Sequence, residues 1–532
     1  MANRALFDSA PKGKMVPPAT TTNAAGGVAY KMSDQHALAQ YAATGCFRGT
    51  FYAKDTEQLT KVLELAGKCS SEFIAKTACW SRKHGFLKDM PALLCCILAA
   101  RGDDESRALL TSIFPRVIDN GKMFMNFAQI TRSGVTGRKS FGYRSKKLMQ
   151  QFLNGHDCDW LFRNSIGQKP SMGDIIKMVR PKAWDAQHEA LFGYFIGKDL
   201  NGKAEALPSL VQAFEAWKQN RDQEPPKVPF QMLTAQKLST DQWAKIIRDG
   251  AWHFTRMNLN TAMRHEVFEK HPDLIEVVAA RLADADTIRK SRVFPYQLLA
   301  TYKAVYENAP RKIVDALHDA LEVSVENVPK IDGKVVIVVD VSGSMAQPVT
   351  GRGMYRAHTT EVSCVDVAAL FASAILRTNP DAVVLPVDHE AHGDFVMEPR
   401  DSVMTNTRRL AEYCGGGTAL GAAMTWINQE KIDPDVVIFI SDNESWNDRT
   451  DDGWGRRQGT SVMQGFKALQ SRKPKAKLVN IDIVPNATAQ TAEGDPATLN
   501  IGGFSDRVFT VVDSFLHERA EKWVDTITHC VV

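Results

Sequence analysis

Lys334-Val335-Val336-Ile337-Val338-Val339-Asp340-Val341-Ser342-Gly343-Ser344 is the stretch at which the chain changes architecture. Residues 335–339 are all β-branched and aliphatic, too uniformly apolar for a strand with one wet face, so the run predicts a central strand of a parallel sheet. Comparable runs follow at residues 382–387, 436–440, 477–484 and 508–512, with helical periodicity between them at 362–376 and 419–429. Strand alternating with helix predicts an α/β doubly wound, Rossmann-like domain over residues 331–532, with its ligand site at the carboxyl ends of the strands.

Upstream of Lys330 the period is helical. Leu59, Val62 and Leu63, then Leu109, Leu110, Ile113 and Phe114, then Leu274, Ile275, Val277 and Val278 recur at three- and four-residue spacing. Many short segments broken by Gly, Pro, Asn or Asp predict an all-α module of HEAT-like stacked hairpins over residues 28–330, although no clean repeat length emerges. Residues 224–229, rich in Pro, mark a joint within it. Residues 1–27, rich in Ala, Thr, Gly and Pro, read as a flexible arm without the apolar core of a secretory signal. The apolar run 91–100 is about half the length that spans a bilayer, which predicts a buried helix and no membrane contact.

A chain of 532 residues, 44% hydrophobic and 24% charged, has material for two cores and is not a disordered polymer. Its nine cysteines are scattered without a C-x-x-C pair, which fits buried thiols in a reducing, cytoplasmic compartment better than disulfides or zinc. The net charge of +4 hides an asymmetry: residues 1–330 hold 46 Lys and Arg against 34 Asp and Glu, and the remainder holds 19 against 27. A basic half and an acidic half imply different partners.

Asp340, Ser342 and Ser344 form the D-x-S-x-S pattern of a metal-ion-dependent adhesion site, directly after the first strand. Thr418 follows Gly415-Gly416-Gly417, and Asp442 follows the strand ending at Ile440. Oxygen donors without Cys or His make a hard site suited to a divalent cation, Mg²⁺ first, completed by water. The competing reading is that these residues only cap loops and helices. Such a site leaves a coordination position for a partner's carboxylate, and no nucleophile with a base lies nearby, so ligand capture is expected rather than catalysis.

In the basic half, Arg132, Arg138, Lys139, Arg144, Lys146 and Lys147 occur without an intervening acid. Gly134, Gly137 and Gly142 predict a loop leading into a helix over 143–154, with Leu148, Phe152 and Leu153 on its buried face. Cations at this density neutralise phosphates, Phe141 and Tyr143 can stack on unpaired bases, and Lys177 and Arg180 extend the patch. A solvated charged face is the bland alternative, disfavoured by the net charge of the whole half. Gly137-Arg138-Lys139-Ser140 lacks the G-K-S order of a phosphate-binding loop, and His253, His265 and His271 lack metal-ligand spacing.

A basic helical module followed by Asp340-Val341-Ser342-Gly343-Ser344-Met345 resembles the Ro ribonucleoprotein family, in which a TROVE module precedes a von Willebrand factor A-like domain. Gly49-Thr50-Phe51-Tyr52, Lys290-Ser291-Arg292-Val293-Phe294-Pro295-Tyr296, Gly415-Gly416-Gly417-Thr418 and Ser441-Asp442-Asn443-Glu444 carry the resemblance, which runs in order over about residues 28–532. It implies a monomeric ring of HEAT-like repeats closed at the A-type domain. It also implies small non-coding Y RNA bound outside, and single-stranded ends of misfolded RNA threaded through the hole for quality control. In bacterial members the bound RNA links the protein to an exoribonuclease, polynucleotide phosphorylase. By the same resemblance Arg132, Lys139, Lys146, Lys147 and Lys177 are RNA contacts, and Arg180 stands where animal relatives carry a histidine. The expectation is a non-enzymatic RNA scaffold of the bacterial cytoplasm. The alternatives are a metal-dependent protein-binding adaptor and, less favoured for want of a base, a metal-dependent nuclease.

Overall fold

A strand buried on both faces needs cover on both, and residues 335–340 receive it from a sheet with helices packed against it. The computed structural model describes residues 16–44, 53–85, 87–167, 169–198, 204–291, 293, 295–326, 328, 330–349, 362–447, 459–503, 507–517 and 523–532. Residues 1–15 of the expected arm, Cys46, residues 49–52, Arg292 and Phe294 lie outside them. The chain divides into two compact units, one of Met1–Leu65, Phe294–Ala300 and Leu321–Thr526, the other of Ala66–Val293, Thr301–Ala320 and Ile527–Val532.

The first unit holds β1 (Thr21–Thr22), β2 (Val28–Lys31), helix α1 (Asp34–Thr44), β3 (Val335–Asp340), β4 (Val383–Val387), β5 (Val436–Ser441), β6 (Lys477–Asp482), β7 (Thr488–Ala489) and β8 (Thr498–Gly502). Five of these strands form one parallel sheet in the order β4-β3-β5-β6-β8. Every residue of β3 and β5 is buried. Val336, Val338, Val437 and Phe439 pack with Met424, Ile427, Met463 and Phe466 from the helices Gly421–Gln429 and Ser461–Arg472. Helix Cys364–Thr378 packs on β3 and β5. The doubly wound expectation therefore holds.

One predicted strand is a helix. Residues 508–512 lie in Arg507–Leu516, where Val508, Val511, Val512, Phe515 and Leu516 repeat at i, i+3, i+4, i+7 and i+8. The fifth strand is β8, whose pattern is hidden by buried polar residues. In β8, Asn500 faces Asn480 of β6 in register, and the two share a side-chain hydrogen bond of 2.8 Å.

The described part of the expected arm is paired, not loose. β1 pairs with β2, and β2 pairs with β7, both antiparallel. Tyr30 joins the core of this unit with Val16 against it, and its hydroxyl donates to the Pro17 carbonyl at 2.6 Å. α1 packs on β8, and its Gln40 donates to Asp482 at 2.9 Å. The described residues 16–44 and 53–65 thus fall in the same compact unit as the parallel sheet. The pairing partner lies hundreds of residues away, so no local period announces it.

Burial alone would raise the Glu493 carboxyl. Hydrogen bonds from His36, the Ser33 N–H (2.7 Å) and the Ser33 hydroxyl (2.8 Å) outweigh burial and hold its pKa at about 2. Glu493→Gln is expected to lower stability at neutral pH by about 1 kcal/mol, as half-exposed charged hydrogen bonds do, measured by urea unfolding. A depressed carboxyl stabilises above its unfolded value of 4.5 and loses that contribution as pH falls toward 2, so the gap between variant and wild type should close over that window.

The second unit is built from helices throughout its described length. In chain order they begin with the end of α2 (Asp55–Lys68), then α3 (Ser71–Lys83), α4 (Asp89–Arg101), α5 (Asp104–Val117), α6 (Gly121–Ser133), α7 (Gly142–Asn154), α8 (Cys158–Arg163), α9 (Met172–Val179) and α10 (Ala186–Phe195), and further helices continue to Arg311–Ser324. Ser70, Asp103, Asn120, Asp157, Ser171 and Asp185 cap α3, α5, α6, α8, α9 and α10, each accepting from a backbone N–H inside its first turn. α3 packs on α4 and α5, α4 also on α6, and α5 also on α7. That nearest-neighbour stacking is the helical-repeat arrangement expected. Met90–Leu98 of α4 is buried all round, as the apolar run predicted. Among the described residues no helix is long and apolar enough to cross a membrane.

Candidate functional site

The basic segment leaves α6 through Gly134, which caps that helix in the left-handed region at φ 81°. Two further left-handed glycines, Gly137 and Gly142, turn the loop back into α7. The turn sends Arg138 inward. Its guanidinium donates to the Ala99 carbonyl of α4 at 3.1 Å and lies where any Cβ on Gly142 would stand. Arg138 is therefore a half-buried anchor for the loop, not the outward cation expected. Arg132 is exposed and donates to the Lys139 carbonyl at 3.2 Å, while Lys139 lays its stem over Gly134.

On α7, Leu148, Met149 and Phe152 face inward, with Phe152 stacked on Phe124 of α6 at 4.3 Å. Arg144, Lys146 and Lys147 are consequently exposed. Phe141 is buried, so only Tyr143, 82% exposed, remains of the two rings expected to stack on bases. α9 is tied alongside, because the Gln150 amide of α7 donates to the carbonyls of Val179 (2.7 Å) and Arg180 (3.3 Å). Lys177 and Arg180 are exposed beside it. Arg180 caps α9 in the left-handed region, φ 52° and ψ 64°, a conformation that costs a non-glycine residue about 1 kcal/mol.

Among the described residues, Arg132, Lys139, Arg144, Lys146, Lys147, Lys177 and Arg180 form no salt bridge. Elsewhere in the same unit Arg82, Arg107, Arg248 and Lys312 each meet a carboxylate. The contrast gives the α6–α7–α9 surface an excess of positive charge, with Asp174 beside Lys177 as an acid within it. Sequence reasoning overlooked Lys182 and Trp184, both exposed just beyond Arg180. The alternation of cation or ring with small residues in Arg180-Pro181-Lys182-Ala183-Trp184 was the signal available in the sequence.

In the first unit, the ends of β3 and β5 bring Asp340 and Asp442 to the carboxyl edge of the sheet, both fully buried. The Ser342 N–H donates to Asp340 Oδ1 at 2.9 Å, and the Ser342 and Ser344 hydroxyls are 3.2 Å apart. Gly415 N–H to the Val341 carbonyl (2.7 Å) and Gly343 N–H to the Gly416 carbonyl (3.1 Å) bind the Thr418 loop to the Ser342 loop. Gly416 sits at φ 71°, where a Cβ would strike Asp388. The Thr418 carbonyl accepts from Trp446 and Asn447, closing the third segment onto the others. All five sequence-predicted ligands thus lie on one set of interlocked loops.

Residues that the motif did not name support them. Ser441 donates to Asp340 Oδ2 at 2.9 Å. The turn between β1 and β2 fastens the Asp442 loop: Asn23 donates to the Ser445 carbonyl at 2.7 Å, and the Ala25 N–H donates to Glu444 at 3.0 Å. Gly27 lies so close that a Cβ would fall 1.9 Å from that carbonyl.

A divalent cation fits this donor set. Asp442 Oδ2 is buried without a hydrogen-bond partner. Burial first, and the Asp340 charge second, push the Asp442 carboxyl up to about 8, and burial raises Asp340 as well. Burial lifts Glu444 to about 7, and burial with the charges of Glu444 and Asp442 raises Asp482 well above the usual range. Dehydrated acids facing one another call for a compensating positive charge. Among the described residues no three His, Cys, Asp or Glu side chains converge as a metal cluster, so a cation here would rest on two carboxylates, hydroxyls and water, as Mg²⁺ does and zinc does not. The neighbouring Cys414 thiol is pushed up to about 11, chiefly by burial, which leaves it protonated and a poor nucleophile.

Comparison with known proteins finds similar chains. Residues 334–516 match the family model described as the Ro60 vWA domain. The chain is 23% identical over 533 aligned residues to the RNA-binding protein RO60 of Deinococcus radiodurans, covering 93% of this chain and 94% of the relative. It is 24% identical over 423 residues to the RNA-binding protein RO60 of Caenorhabditis elegans, covering 72% and 61%. The crystal structure of the D. radiodurans Ro (RSR) protein has the same fold, with a TM-score of 0.64 at 18% identity over 91% of this chain and 99% of that one. Residues 334–516 thus match a Ro60-type A domain, and over nearly its whole length the chain is similar to a protein named RNA-binding protein RO60.

Proposed function

We propose that this protein is an RNA-binding scaffold that holds small structured RNA on its α6–α7–α9 surface. The carrying observation is the run of exposed cations on that surface, none of which forms a salt bridge among the described residues. The RNA takes the place of the missing anions, and the relatives named RNA-binding proteins support the reading. In finer detail, the RNA is of the Y type, unpaired ends of misfolded RNA are presented to an exoribonuclease such as polynucleotide phosphorylase, and the protein works in the cytoplasm without catalysing a reaction. In the A-type domain, Asp340, Ser342, Ser344, Thr418 and Asp442 hold Mg²⁺, which supplies a coordination site for an incoming carboxylate. A second reading, a metal-dependent protein-binding adaptor, draws on the partnerless Asp442 oxygen and is compatible with the first.

A salt series tests the proposal. If all seven cations meet phosphates, the logarithm of affinity for a structured RNA should fall against the logarithm of salt with a slope of about −6 for duplex and about −5 for single strands. Binding that is indifferent to salt, or absent at low salt, would leave the adaptor as the better account.

A further inference from the structure

Arg180, Lys182 and Trp184 are exposed, whereas Pro181, Ala183 and Asp185 between and after them are half-buried. Residues 181–183 run without helix or strand between left-handed Arg180 and a bend at 184–185, and this path turns alternate side chains to solvent; among the described residues no strand pairs with the segment. It is pinned along α7 by two amides one helical turn apart: Gln150 donates to the carbonyls of Val179 and Arg180, and Asn154 donates to the carbonyl of Lys182 at 3.0 Å. The carbonyls are thus turned to the helix, and the two cations and the indole are turned to solvent.

Trp184 is held without being covered. Its ring packs on His188 with centroids 4.7 Å apart. His188 is buried, with Nδ1 3.0 Å from Asp185 and Nε2 3.0 Å from the His156 carbonyl. The indole nevertheless remains 66% exposed. An aromatic plane fixed on one side and open on the other loses little freedom when a second ring stacks on it.

Charge reverses at this point. Asp157, Asp159 and Asp185 surround the Cys158 thiol, and Glu189 is exposed one turn beyond. A polyanion held by Arg180 and Lys182 meets an acidic border at Trp184, where Asp185 and Glu189 follow in the chain.

Building on the RNA-binding reading, we infer that residues 180–184 capture the unpaired end or turning point of an RNA strand: Arg180 and Lys182 hold successive phosphates and Trp184 stacks one base. The base is unpaired, because a paired base has both faces covered within the helix and offers none to the indole. The acidic border stops the backbone, so the stacked nucleotide is the last one held by this stripe.

The test compares a labelled single-stranded oligoadenylate with a fully paired two-stranded RNA duplex on the full-length protein, by fluorescence anisotropy. Trp184→Ala should weaken the oligoadenylate roughly 5- to 100-fold and leave the duplex unchanged, while Trp184→Phe should keep most of the affinity. The exposed position should leave the melting temperature where it was, which separates lost stacking from lost folding. Unchanged oligoadenylate binding, or equal weakening of both ligands, would overturn the inference while the RNA reading stands. Failure of the wild type to bind either ligand would remove both.

Discussion

Changing Lys139, Arg144, Lys146 and Lys147 together to Ala should weaken RNA binding on the order of a thousandfold near physiological salt. Each cation that meets a phosphate releases about 0.9 counterion on a duplex, so losing four removes about 3.6 from the salt slope. Lines of those slopes converge near 1 M and, extrapolated to about 0.15 M, separate by that factor. The four side chains are exposed and have no salt bridge among the described residues, so their removal should leave unfolding unaffected. Arg138→Ala is the contrasting variant. Its guanidinium holds the loop to the Ala99 carbonyl, so it should lower stability modestly and reduce RNA affinity only through loop disorder, with little change in salt slope. Nitrocellulose filter binding across a salt series reads both. A quadruple variant with the wild-type slope would show that RNA lies elsewhere.

Adding Mg²⁺ should raise the melting temperature of the A-type domain by about 5–10 °C once the cation is at a hundredfold excess over its dissociation constant, a gain of about 2.7 kcal/mol. Without metal, the Asp442 carboxyl is held protonated up to about 8, against 3.8 for an ordinary aspartate. Because the folded value is raised, the contribution is fully present below 3.8 and is lost as pH rises through about 8. In chelator the wild type should therefore lose stability across that window, and Mg²⁺, which favours the ionised carboxylate, should restore more at pH 8 than at pH 6. Asp442→Asn removes both behaviours: the variant should match or exceed metal-free wild type at pH 8, and Mg²⁺ should not shift its melting. Differential scanning fluorimetry with and without chelator decides it. A variant as responsive to Mg²⁺ as wild type would take Asp442 out of the ligand set.

Much of this site could be read from the sequence, because its residues obey local rules. β3 and β5 are covered on both faces and so advertise themselves as unbroken aliphatic runs, and the motif oxygens sit at the ends of those strands. β8 escaped because its core-facing positions include Asn500, satisfied by Asn480 and Thr491 in a way only the folded sheet reveals. Residues 508–512 misled in the opposite sense, a short apolar run being equally compatible with a helix. The β1–β2 hairpin could not be foreseen either, since β7 and the Glu444 loop that hold it are remote in sequence. In the basic stripe the residue types were legible but their directions were not. Left-handed Gly137 and Gly142 set the loop's path, Arg138 turns inward and Phe141 is buried, while Tyr143, only two residues on, is left in solvent.

Lysine acetylation footprinting of the full-length protein, with and without a small structured RNA bearing a single-stranded tail, tests the RNA interface most directly. Lys139, Lys146, Lys147, Lys177 and Lys182 should be protected together when RNA is bound, with Lys218 and Lys237 of the open groove beside Arg221 reacting as before. Equal reactivity of the first five in both states, with protection in that groove or on the A-type domain instead, would contradict an RNA interface on α6, α7 and α9.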